Sequence, residues 1–182
     1  MKKLKLPITG MIKPTPGSPV NLGDAYENLQ AAQANGQKII SATLGIELQL
    51  ETIITYRVFG KFGPEVSFFN NHILTADWFA FSSKRKLVLA IVNEGNYLKG
   101  VDKNLFDKLL RDVMSYRNAF AHGAIVEKSD GTYISYFENT QQEKLLSDYY
   151  WTQVESTFQE ALEKLMIVQK RMGIKTTTFQ PG

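Results

Sequence analysis

The feature that most constrains the fold of this chain is the recurrence of apolar residues every three or four positions over long stretches. Near the C-terminus this pattern predicts a helix over residues 148–172, capped by Ser147 or Asp148 and ended by Gly173. A second long pattern predicts a helix over residues 103–122. Amphipathic helices of this kind bury one face against another element. We therefore predict a mainly α-helical bundle.

Earlier stretches complete a predicted bundle of four to five helices. Good helix formers follow Asp24, and Gly36 is expected to break or bend that helix. A stronger apolar pattern then covers residues 38–59. The two serines before Lys84 are predicted to cap a short helix that ends at Gly95.

After Gly123 the apolar period changes from helical to alternating. Residues 124–128 and 132–137 alternate, and Asp130-Gly131 lies between them. An Asp-Gly pair between two alternating runs is typical of a tight β-turn. We predict a small β-hairpin directly after the second long helix.

The ends of the chain suggest a simple domain organisation. Residues 1–22 contain four of the six prolines and show no apolar period. We interpret them as an extended arm that lies over the surface or across a partner subunit. Residues 23–182 have the length and composition of a single globular domain.

The composition excludes several classes of site. The absence of cysteine excludes disulfides, thiolate zinc sites, iron–sulfur clusters and thiol nucleophiles. Two histidines argue against a catalytic zinc site, and we predict neither metal nor cofactor. Prolines interrupt the basic start before a signal peptide could form, and no segment approaches the length that spans a bilayer. We predict a cytoplasmic protein that does not enter a membrane.

Three polar residues end the helix predicted over residues 103–122. Its two rows of residues spaced by four are apolar for three turns and then carry Arg117, Asn118 and His122. On this pattern the three side chains are expected on the buried face. A buried guanidinium needs an anion. Either Glu47 or Glu51 of the earlier helix, or a ligand phosphate, would supply it.

The spacing of these residues allows more than one interpretation. On an ideal helix Arg117 and His122 point about 140° apart, so Asn118 and His122 are expected to converge but Arg117 and His122 are not. Gly123 lets the chain leave the helix after His122, and a second copy across a two-fold axis would bring two such pairs together. Alternatively, His122 bonds only the last carbonyls of its helix.

A basic run is the remaining candidate contact. Lys84, Arg85 and Lys86 begin the predicted third helix, where the helix dipole disfavours cations. The run is either a solvated helix end or a contact for a polyanion such as RNA.

The segment Arg117-Asn118-Ala119-Phe120-Ala121-His122-Gly123 resembles the motif of the HEPN superfamily (higher eukaryote and prokaryote nucleotide-binding), which reads Arg, a polar residue, a few residues, then His. The early helix with its two glutamates and the long last helix are similar too. The resemblance implies a compact, commonly homodimeric helical bundle. Many members are metal-independent endoribonucleases of defence or toxin–antitoxin systems, and others are non-catalytic binding modules.

This resemblance implies a role for each motif residue. His122 would move a proton to or from the reacting RNA, Arg117 would stabilise charge on the phosphoryl oxygens, and Asn118 would orient the phosphate. Glu47 and Glu51 would support the site, and the basic run would contact the RNA. The implied partners are a second copy, RNA, and an antitoxin or other protein. The alternative is a dimeric regulatory module without catalysis.

Overall fold

The computed structural model describes residues 10–12, 22–60 and 64–175, and within them the protein is mainly helical. The helices are α1 (Leu22–Phe59), α2 (Pro64–Phe69), α3 (Phe81–Glu94), α4 (Gly100–His122) and α5 (Asp148–Met172). A π-helical turn, Asn70–Leu74, follows α2. The strands are β1 (Gly10–Ile12), β2 (Ala124–Lys128), β3 (Gly131–Glu138) and β4 (Thr140–Leu145). The predicted mainly α-helical fold is confirmed.

The chain divides into two compact units, and the division falls inside α1, α4 and α5. The first unit contains the described residues up to Ser41 together with Ser115–Glu155. The second contains Ala42–Met114 and the described residues from Ser156 onward. The sheet belongs to the first unit, and α2 and α3 belong to the second.

The predicted break in the first helix is wrong, because α1 is one helix of 38 residues that passes through Gly36. The structure gives this glycine a different role. A Cβ at Gly36 would lie 2.6 Å from Cδ1 of Phe120 on α4, closer than such atoms approach. The missing side chain therefore lets an aromatic ring pack against the helix backbone. Gly36 has a low helix propensity, but the helix continues through it.

The predicted hairpin is confirmed as part of a larger sheet. β2 pairs antiparallel with β3, with Ile125 opposite Ile134, and Ser129 and Asp130 form the turn. β3 continues antiparallel into β4, and β1 pairs parallel with β2, giving the order β1-β2-β3-β4. β4 was not predicted because five of its six residues are polar and it is largely exposed, so it shows no apolar alternation. Apart from β1 and Leu22, which begins α1, the predicted N-terminal arm (residues 1–22) lies outside the described residues.

The core of the first unit joins helices to the sheet. Leu29, Ala32, Ala119, Ile125 and Ile134 are buried together, and Phe120, Tyr136 and Leu146 pack partly buried against them. The ring of Phe120 also lies 5.8 Å from that of Trp151 on α5. These contacts fix the last turns of α4 against the sheet.

The second unit is a bundle whose helices are joined by polar contacts as well as by apolar packing. α3 bonds to α1 through Lys84 and to α4 through Arg85. α5 bonds to α4 through Lys164 Nζ, 2.6 Å from Asp102 Oδ1. Its largest fully buried apolar side chains come from α1, the π-turn, α3, α4 and α5: Ile46, Leu50, Ile53, Ile54, Leu74, Val88, Val92, Phe106, Leu110 and Leu165.

Both ends of α5 match the sequence signals, whereas the starts of α3 and α4 do not. Ser147 Oγ accepts a hydrogen bond from the Tyr150 amide, and Gly173 (φ +79°) ends α5 in a left-handed turn, as predicted. α3 starts earlier than predicted, because Ala80 occupies the N-cap position. α4 also starts earlier, at Gly100.

Substituting Gly36 tests the packing against Phe120. Gly36→Ala places a methyl group inside the aromatic contact, and we expect the free energy of unfolding to fall by about 1 to 2 kcal/mol. Gly45 is the matched control, since it lies on the same helix and a Cβ there meets nothing within 4 Å. Gly45→Ala should raise the free energy of unfolding by about 0.5 to 1 kcal/mol, because alanine favours the helix. Urea denaturation measures both, and equal effects would refute the packing role.

Candidate active site

The last turns of α4 bring together three side chains of the motif. Arg117 Nη1 donates a hydrogen bond to Asn118 Oδ1 at 3.0 Å. The same Nη1 lies 3.5 Å from His122 Nε2, at the long end of the hydrogen-bond range. The expectation that Arg117 and His122 would not converge is therefore wrong. The long arginine side chain reaches around the helix, over Asn118, to the imidazole.

The expectation that these side chains lie on the buried face is also wrong, because Arg117, Asn118 and His122 are all exposed. Residues four apart are offset by about 40° on a helix, so a row followed through four steps turns by about 160°. His122 consequently lies almost opposite Phe106. In the last turns the packed side carries Ala119 and its neighbours instead. Arg117 thus needs no buried counter-ion.

The pairing of Arg117 with His122 has a chemical consequence. A guanidinium is always a donor, so Arg117 Nη1 cannot accept a hydrogen bond. If His122 carries its proton on Nδ1, its Nε2 accepts from Arg117. If Nε2 carries the proton, two donors face each other, and an anionic oxygen between them would satisfy both. With its Oδ1 bonded to Arg117, Asn118 still has an amide NH₂ that can donate nearby.

Gly123 fixes the backbone on the far side of the imidazole. Its amide donates to the Ala119 carbonyl at 2.8 Å, and β2 begins at the next residue. A Cβ at Gly123 would lie 2.9 Å from the Ser135 carbonyl oxygen of β3, as well as against its own helix. Glycine therefore lets α4 end directly against the sheet. Among the described residues, the polar contact of the His122 ring is with Arg117 rather than with the last carbonyls.

A second set of polar groups lies beside this helix end. Ser115 Oγ donates to Glu138 Oε2 at 3.3 Å. Ser115 also shares a hydrogen bond with the hydroxyl of Tyr136. Burial and the Glu138 charge raise the pKa of Tyr136, so its phenol keeps its proton at neutral pH. Sequence analysis did not select these residues, although the two-residue spacing of Tyr136 and Glu138 already placed them on one face of β3.

The two predicted supporting glutamates occupy a different place, in the second unit. Glu47 Oε1 and Glu51 Oε1 accept hydrogen bonds from Lys84 Nζ at 2.5 and 2.6 Å. Lys84 is buried, with 3% of its surface exposed. Burial lowers the pKa of Lys84, but the hydrogen bonds and charges of the two glutamates outweigh it and raise the pKa above the ordinary 10.5. This cluster joins α1 to α3.

The other two residues of the basic run differ in their surroundings. Arg85 Nη1 bonds to the Asp107 carboxylate on α4, and Lys86 is exposed. Because α3 begins at Phe81, Lys84 is the fourth residue of the helix, so the basic run lies further from the helix start than predicted. Burial of Lys84 argues against an RNA contact there, whereas the exposed Lys86 remains a candidate.

The described residues contain neither a metal-binding cluster nor a membrane-spanning helix. Within them, no group of three histidine, aspartate or glutamate side chains is placed to hold a metal ion. The other histidine, His72, is exposed and lies against the ring of Phe68 at 4.6 Å. None of the described helices has both the length and the apolar character needed to cross a bilayer.

In comparisons with known proteins, no protein-family model, no curated protein and no solved structure matches this chain. The resemblance to the HEPN superfamily thus rests on the motif residues and the helices around them. Any function for the chain must be argued from the side chains themselves.

The buried lysine provides a test of the helix–helix contact in the second unit. Lys84→Met leaves two glutamates facing each other without a counter-charge, and we expect it to lower the free energy of unfolding by about 3 kcal/mol. Lys86→Met, on the exposed side of the same helix, should change it by less than about 0.5 kcal/mol. Urea denaturation at pH 7 compares the two variants, and similar values would contradict the contact.

The same contact predicts an alkaline limit to stability. A raised lysine pKa stabilises the fold fully below the unfolded-state pKa, and this contribution is lost as the pH rises through the higher folded-state value. We therefore expect the wild-type protein to lose stability above about pH 10.5 more steeply than Lys84→Met does. Melting temperatures measured between pH 8 and pH 12 test this, and parallel curves would contradict it.

Proposed function

We propose that this chain is a metal-independent endoribonuclease of the HEPN type, with Arg117, Asn118 and His122 as its active site. The observation that carries the proposal is the exposed contact of a guanidinium with an imidazole, 3.5 Å apart, beside an amide. When Nε2 of the imidazole carries a proton, an anion between the two donors would complete their hydrogen bonds. A phosphodiester supplies such an anion, with two oxygens that a guanidinium can bind together.

In the proposed reaction, the ribose 2′-oxygen attacks the adjacent phosphorus and the bond to the 5′-oxygen breaks. The 2′-OH loses its proton, the departing 5′-oxygen gains one, and the products are a 2′,3′-cyclic phosphate and a 5′-OH end. An imidazole near neutral pH suits either transfer. Arg117 stabilises the charge that develops on the phosphoryl oxygens, and Asn118 orients the phosphate. Because the nucleophile is a 2′-OH, the substrate is RNA.

A homodimer is part of this proposal. One imidazole cannot accept and donate a proton in the same step, whereas two copies related by a two-fold axis would supply a base and an acid. The exposure of His122 supports this arrangement, because the residues that the structure describes leave the imidazole accessible to a second copy. We further propose a cytoplasmic defence or toxin–antitoxin setting, in which an antitoxin or other protein restrains the enzyme.

The two histidines provide a matched test of catalysis. His122→Ala should lower the rate of RNA cleavage in EDTA by about a hundredfold or more, since a general acid or base is lost. His72→Ala removes the other exposed imidazole and should leave the rate within about twofold. Gel analysis of a labelled RNA measures both rates. Equal cleavage by the two variants, or none by the wild type, would contradict the role of His122.

Arg117 separates catalysis from a purely structural role. Because its guanidinium is exposed, Arg117→Ala should keep the melting temperature within about 1 °C of wild type. We expect the same variant to lower the cleavage rate by about a hundredfold, because charge on the phosphoryl oxygens is no longer stabilised. Calorimetry and the cleavage assay are run on one preparation. A large loss of melting temperature, without any cleavage by wild type, would favour the non-catalytic module.

A further inference from the structure

Ser115 lies on the same side of α4 as His122 of the candidate active site. Ser115 precedes His122 by seven residues, which places the two side chains about 20° apart around the helix and two turns apart along it. Asn118 lies between them. Through its hydrogen bonds, Ser115 connects this helix face to Tyr136 and Glu138 at the end of β3.

The direction of these hydrogen bonds leaves the carboxylate open to a ligand. Ser115 Oγ donates its proton to Glu138 Oε2, so the hydrogen bond uses one acceptor position of the carboxylate. The two oxygens of a carboxylate can together accept about four hydrogen bonds. Glu138 is exposed, and with one hydrogen bond from Ser115 its carboxylate can still accept hydrogen bonds from a ligand.

A carboxylate beside a phosphodiester site must bind something other than phosphate. Its charge repels the RNA backbone, and it can only accept hydrogen bonds. Apart from the ribose hydroxyls, the donors in RNA are N–H groups on the bases. Among the four bases, guanine alone presents two adjacent donors on its pairing edge, N1–H and the N2 amino group, which match two carboxylate oxygens.

We propose that Glu138, held by Ser115, forms a subsite that reads a guanine base next to the scissile phosphate. The inference rests on the proposed function, because it assigns the sequence preference of that same site. The bases of single-stranded RNA are free to present their pairing edges, so the substrate is a guanine in an unpaired segment. Glu138 is then a specificity residue, and it takes no part in proton transfer.

Binding of 2′-O-methyl RNA tests this subsite without requiring cleavage, because the nucleophile is blocked. We would measure fluorescence anisotropy with oligo-uridine probes that contain one guanine, one adenine or one inosine. Wild type should bind the guanine probe about tenfold more tightly than the adenine probe. Inosine lacks the N2 amino group and should fall between them.

Two variants distinguish base recognition from general electrostatics. Glu138→Gln keeps an acceptor for Ser115 but replaces one carboxylate oxygen with a donor, and the guanine preference should disappear. Glu143→Gln is the control, since it removes the same charge from an exposed site on the neighbouring strand, and should preserve the preference. Equal affinity for guanine and adenine in wild type, no measurable binding, or a preference retained in Glu138→Gln would overturn the inference.

The outcomes of this experiment are distinct from those of the cleavage assay. A guanine preference that depends on Glu138, with no cleavage of ordinary RNA, would refute the proposed ribonuclease and leave the subsite standing. Cleavage that depends on His122, with no difference between guanine and adenine, would refute the subsite and leave the ribonuclease standing.

Discussion

The close approach of the last turns of α4 to its neighbours is the constraint on which the candidate site depends. Phe120 packs at Gly36 of α1, and Gly123 brings the chain directly against β3. Interiors are packed as densely as organic crystals, so side chains at either glycine would have to displace their neighbours. Because that side of the helix is held, the opposite side can present Arg117 and His122 to solvent in a fixed relation.

Charged residues are used differently in the two units. In the second unit, Lys84 is buried between two glutamates. Removing one partner of such a buried ion pair lowers the free energy of unfolding by more than forming the pair raises it. In the first unit, Arg117 and His122 are exposed, and their mutual contact is long. A buried cluster of this kind fixes helices, whereas an exposed guanidinium beside an imidazole is accessible to an anionic ligand. This contrast is why we place catalysis at the end of α4.

Much of the fold could be predicted from the sequence because it is encoded locally. The cap at Ser147, the turn at Ser129-Asp130 and the end of α5 at Gly173 each depend on a few neighbouring residues. Gly36 was misjudged because its role depends on Phe120, which is far away in the sequence. The strand β4 was missed because an exposed polar edge carries no apolar pattern.

In the candidate site, too, the features set by neighbouring residues could be predicted, and those set by residues far away in the sequence could not. The motif residues are close in sequence, so their grouping on one helix end could be predicted. Their exposure could not, because following a row of every fourth residue ignores the rotation that accumulates along a helix. The partners of Lys84 and of Ser115 depend on which helices and strands meet, and no spacing within either segment indicates them.

The most direct test of the central claim is the chemistry of the cleavage products. An RNA with one preferred cut site would be incubated with the wild-type protein in EDTA, and its fragments analysed by mass spectrometry. The account predicts a 2′,3′-cyclic phosphate on one fragment and a 5′-OH on the other. It also predicts that a single 2′-deoxy substitution at the cut nucleotide abolishes cleavage there. A 5′-phosphate end, or cleavage that survives the 2′-deoxy substitution, would contradict the account.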